Sequence, residues 1–72
     1  MDEYSRILIE EYCFNHKSVK SRKLRKLVEM SYDPGAEGTD DDAVFLEKAI
    51  QQEKNGELRQ ALQDLNEFLF GW

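Results

Sequence analysis

The stretch TDDDAVFLEKAIQQEKNGELRQALQDLNEFLFGW, residues 39 to 72, decides the fold. Its second half places Leu58, Ala61, Leu62, Leu65, Phe68, Leu69 and Trp72 at spacings of three and four, which puts them on one stripe of a helix. Arg59, Gln60, Gln63, Asp64, Asn66 and Glu67 fall on the opposite side, so the helix packs one face and gives the other to water. Asn55-Gly56 supplies residue types that tolerate the left-handed conformation ending a helix, and Lys54 suits the negative end of the helix before it. That preceding helix opens at Thr39, whose hydroxyl is suited to capping, and Asp40, Asp41 and Asp42 fill its first turn where negative charge is favoured. Ala43, Phe45, Leu46, Ala49 and Ile50 make its apolar face, and Val44 points elsewhere. Two helices joined by a tight turn are expected, an antiparallel hairpin.

Working outward, Asp33-Pro34-Gly35 marks a turn, and the chain through Gly38 reads as the one loop. Ahead of it, Leu24, Leu27, Val28, Ser31 and Tyr32 share one face of a helix that Ser18 would cap, and Arg22, Lys23, Arg25 and Lys26 spread over the other. Asn15-His16-Lys17-Ser18 predicts a break, with one long bent helix as the alternative because neither Gly nor Pro enforces the stop. Residues 2 to 15 read as the first helix, with acids in its opening turn. Tyr4, Ile7, Leu8, Ile9, Tyr12, Cys13 and Phe14 cover far more than one stripe of it, and only Arg6 and Glu10 mark a solvated line. A helix apolar over most of its circumference should be surrounded, as the centre of the fold or as the contact with a second subunit.

At 72 residues the chain is one domain, residues 1 to 72. Domains this small bury only about 60% of the surface their unfolded chains expose, so dimerisation is the expected aid to stability. Cys13 is the lone cysteine and His16 the lone histidine, which leaves no disulfide within the chain and no thiol-rich zinc site. With no signal-peptide pattern and no long apolar run, a soluble cytoplasmic protein without membrane contact is expected. Charge is segregated: residues 1 to 14 carry net −3, residues 15 to 32 net +5 and residues 33 to 72 net −7, within an overall −5. The simplest consequence is that the basic helix lies near acidic segments of its own or a sister chain.

Several chemistries fail on inspection. Cys13 and His16 lie within helical reach, but no orienting group or oxyanion site accompanies them, so Cys13 reads as a small buried hydrophobe. Asp33, Glu37, Gly38 and Asp41 fit four positions of a calcium loop, yet Gly35 and Val44 stand where oxygen ligands belong. The turn Gly56-x-Leu58-x-x-Ala61-Leu62 resembles that of a tetratricopeptide hairpin, but stacking needs about three repeats and an ordinary hairpin accounts for it. Tyr32-Asp33-Pro34 in a small acidic helical chain is similar in kind to the colicin-immunity style of inhibitor, and departs from it in lacking the paired tyrosines.

The expected protein is all-α, a small bundle of three to four short helices ending in an antiparallel hairpin, with no metal, no cofactor and no enzymatic activity. Its expected work is occupation of another protein's surface, as an inhibitor, antitoxin, immunity factor or adaptor, with acidic segments suited to a basic partner. Tyr32, Asp40, Asp41, Asp42, Phe70 and Trp72 are the candidate contact residues. Phe70 and Trp72 either anchor that contact or fold back over the core. The alternative is a dimeric nucleic-acid-binding regulator using Lys20, Arg22, Lys23, Arg25 and Lys26 on the helix at 18 to 32, opposed by the acidic overall charge and the absence of interleaved aromatics.

Overall fold

A computed structural model describes residues 1 to 71 and contains four helices, α1 (Glu3–Asn15), α2 (Val19–Met30), α3 (Asp40–Gln52) and α4 (Gly56–Phe70), with no strand among them. Each start has a side-chain cap that satisfies a backbone N–H left over in the first turn. The Asp2 carboxylate accepts from the Tyr4 amide of α1, and the Ser18 hydroxyl accepts from Ser21 at 3.2 Å to open α2. Thr39 and Asp42 form a reciprocal capping box on α3, with both bonds at 3.2 Å. The break at residues 16 to 18 is therefore real. It rests on the Ser18 cap rather than on a helix breaker.

One turn works differently from its reading. Asn55 does not end α3 in the left-handed region: it is extended, with φ −80° and ψ 117°, and its side chain accepts from Leu58 at 3.1 Å to cap α4. Extended Glu53 ends α3 instead. Asn is as good an N-cap as it is a left-handed residue, so the dipeptide alone could not separate the two uses. The left-handed helix end belongs to Gly71, with φ 81°.

Helix α4 is the hub: it packs on α1 and α3 and, more lightly, on α2, while α1 also lies along α2. The core is Leu58, Ala61, Leu62, Leu65 and Leu69 of α4 met by Leu46 and Ala49 of α3, Leu24, Leu27 and Val28 of α2 and Ile9 of α1. Burying a side chain of this kind contributes roughly 1.5–3 kcal/mol. The expectation that α1 is the centre of the fold fails. Its central place is taken by α4, and of α1's apolar side chains only Ile9 is fully covered.

The ends of the chain tie α1 down. Asp2 N donates to Asp64 at 3.0 Å and the Tyr4 hydroxyl donates to Glu57 at 2.9 Å, both on α4. Arg6 and Glu10, read as a solvated pair, are used on the end of α2 instead. Arg6 donates to the Ser31 hydroxyl at 3.1 Å and to the Ser31 carbonyl at 3.0 Å, and its guanidinium lies 4.4 Å from the Tyr32 ring centre. Glu10 accepts from the Tyr32 hydroxyl at 2.8 Å. Helix α2 ends at Met30 rather than Tyr32, because Ser31 and Tyr32 donate back over three residues to Val28 and Glu29.

Candidate protein interface on the α1 and α2 face

The three-residue link at 16 to 18 forces α1 and α2 to run antiparallel, and a groove opens between them. Ile7, Glu10, Cys13 and Phe14 of α1 face Arg25, Val28 and Glu29 of α2 across a cavity of about 450 Å³. A second cavity of about 280 Å³ continues past Cys13 and Phe14 to Lys17, Ser18, Ser21 and Arg22. Phe14 is 75% exposed and Ile7 51%, and, unlike the exposed Val19 and Val44, both line the first cavity. The reason lies in the helix spacing. Ile9 takes the one slot facing both neighbours, and Ile7 and Phe14, seven residues apart, share a line displaced from it.

Charge is laid out along this groove. Glu10, Glu11 and Glu29 gather at the Ile7 end, and Lys17 and Arg22 at the opposite end, with Cys13, Phe14 and Arg25 between them, common to both cavities. Arg25 and Glu29 form the one ion pair among the described residues, at 3.7 Å on exposed side chains, and such a pair is worth little. The expected pairing of the basic helix with acidic segments of the same chain is not what the structure uses. Lys20 and Lys23 lie instead over the rings of Tyr12 and Phe45, at 5.7 and 5.3 Å, and Arg22 and Lys26 stand exposed.

Cys13 is half-buried, and that burial pushes its thiol pKa up, with nearby Arg25 acting in the opposite sense. It is therefore a protonated thiol at neutral pH, unsuited to attack. His16 is engaged elsewhere, stacked on Tyr12 with ring centres 4.3 Å apart and bonded through Nδ1 to the Tyr12 carbonyl at 3.0 Å.

The other candidate residues are placed at two sites. Tyr32 is exposed but held by Arg6 and Glu10 at the rim of α1, and its hydrogen bond to Glu10 raises its phenol pKa. Asp40 and Phe70 come together at the far end of the molecule, where residues 34 to 38 fold over the end of α4. Asp41 is exposed there, and Asp42 is occupied by its capping bond. Of the two roles expected of Phe70, the structure shows the fold-back: Phe70 packs on the core and covers Gly38 so closely that a Cβ there would overlap its ring. Phe68, expected on the core stripe, is 37% exposed. Trp72 lies outside the described residues.

Sequence reasoning named α1 as a contact helix but did not single out Ile7, Phe14 or the acids around them. The available signal was the surplus of apolar residues on α1. Among the described residues no helix is long and apolar enough to cross a membrane, and no three acidic, histidine or cysteine side chains converge to hold a metal ion. Set against known proteins, the chain matches no family model, no curated protein and no solved structure.

Proposed function

We propose that this is a small, non-catalytic cytoplasmic interaction module that works by covering a surface of another protein chain through the α1 and α2 face. The observation that carries the reading is the exposure of Phe14 and Ile7 over an open groove, since aromatic side chains beside a recess are the usual anchors of interfaces. The acidic end bearing Asp40 and Asp41 adds long-range attraction for a basic partner and speeds encounter. A regulatory role as inhibitor, antitoxin, immunity factor or adaptor follows from that mode of action. A protonated, half-buried thiol fits a reducing compartment and a binding role better than a nucleophile's.

Affinity capture from an extract of the native host tests the reading, with the wild type beside Phe14→Asp. A partner held by the wild type and released by the variant, with helicity unchanged, is the expected result. Capture that ignores Phe14→Asp removes the support.

A second reading has its own observation. Except for Arg25, no cation of α2 makes an ion pair with a carboxylate among the described residues, so Arg22 and Lys26 are free to meet phosphates. Nucleic-acid binding through Lys20, Arg22, Lys23, Arg25 and Lys26 would show as duplex DNA affinity falling with salt, with a log-log slope of about −0.9 per neutralised phosphate. No binding at low salt would end that reading.

A further inference from the structure

We infer that the occupant of the α1 and α2 groove is a second copy of this chain, in a two-fold dimer centred near Phe14 and Cys13. The inference rests on the interface reading above and names its partner. A two-fold interface sets the same patch against itself, so residue i meets j while j meets i. Most surfaces are poorly suited to this, because a patch of one sign repels its copy. This groove is acidic at the Glu10 and Glu29 end and basic at the Lys17 and Arg22 end, with Phe14, Cys13 and Arg25 shared by both halves and the charge of Arg25 met by Glu29 of its own chain. Turned about an axis through that middle, the acidic end of one protomer lies over the basic end of the other. Along α1 the register is simple: with residues 13 and 14 at the axis, Glu10 falls opposite Lys17 of the partner subunit.

A standard interface takes about 800 Å² from each partner, roughly one sixth of this chain's 5028 Å² surface. Phe14 and Ile7 would be covered, and Lys17, which makes no ion pair among the described residues of its own chain, would find Glu10 across the axis. The groove's apolar centre is short, so the dimer depends on its charged ends and weakens as salt rises.

Self-complementarity has a test that no other occupant shares. Let one variant carry Glu10→Lys and Glu29→Lys and another Lys17→Glu and Arg22→Glu, with helicity of each checked by circular dichroism. Sedimentation over a concentration series should take the wild type from 8.5 kDa toward twice that mass. Each variant alone should dimerise at least about tenfold more weakly, because like charges now meet at both ends, and an equimolar mixture should recover the wild-type affinity. Phe14→Asp should leave a folded monomer. The inference is overturned if the wild type stays at 8.5 kDa throughout, if the mixture associates no better than its components, or if Phe14→Asp dimerises unchanged. A monomeric wild type that still loses a captured host protein on Phe14→Asp would overturn this inference and leave the interface reading standing.

Discussion

Helices α4 and α1, one from each half of the molecule, carry similar proportions of apolar residues and use them in opposite ways. In α4 the leucines at 58, 62, 65 and 69 all go inside. In α1 one isoleucine goes inside, and Ile7, Phe14 and most of Tyr4 stay out. A clean stripe states where a helix packs, whereas an apolar surplus states only that more contact is needed than the chain supplies.

The sharpest way to break this contrast is to truncate one residue on each side. Leu65→Ala empties a site that is fully buried at the crossing of the helices and should cost about 3 kcal/mol, a large share of the stability of so small a domain. Phe14→Ala should change monomer stability by less than about 0.5 kcal/mol. Urea unfolding of both, at a concentration low enough to hold monomer, separates them. If Phe14→Ala matches Leu65→Ala, the two halves are not different after all.

Next in size is the tie between α1 and α2. Arg6→Ala removes two hydrogen bonds to Ser31 and the stacking on Tyr32, and should cost about 1–2 kcal/mol in the same assay. Thr39→Ala, which removes half of a capping box on α3, should cost about 1 kcal/mol. Gly38→Ala should be comparable, because the new methyl displaces the Phe70 ring from the loop. Loss of the Gly38→Ala penalty when it is measured in a Phe70→Ala background would confirm that cause.

The smallest effect is in the tyrosines. Hydrogen bonds to Glu57 and Glu10 raise the phenol pKa of Tyr4 and Tyr32. The folded chain thus holds these protons more tightly than the unfolded chain, whose tyrosines titrate near about 10. Any stabilisation is fully present below that value and is lost as pH rises through the folded pKa. An ultraviolet titration should show two tyrosines ionising late, and Tyr32→Phe should remove one of them while hardly moving the unfolding midpoint.

Much of the architecture was legible in the residues. Ser18 and Thr39 announced their helices because a hydroxyl before a run of helix formers has few other uses, and the single stripe on α4 could face only one way. What stayed hidden depended on distant chain. Arg6 and Glu10 look like a surface pair until Ser31 and Tyr32 are folded beside them. The packing of Phe70 depends on Gly38, more than thirty residues away in the chain, which lies against its ring. The groove was legible as a need on α1, but its charge pattern was not, because Glu29 and Arg22 come from a different helix.

The place of α4 as the hub has a consequence for synthesis. A growing chain releases α1 and α2 first, and they have only Ile9, Leu24, Leu27 and Val28 to set against each other. The side chains that close the core arrive with the 15-residue α4. The chain therefore gains its cooperative fold only once α4 has emerged, and until then Phe14 and Ile7 are among many uncovered apolar groups that a chaperone could hold.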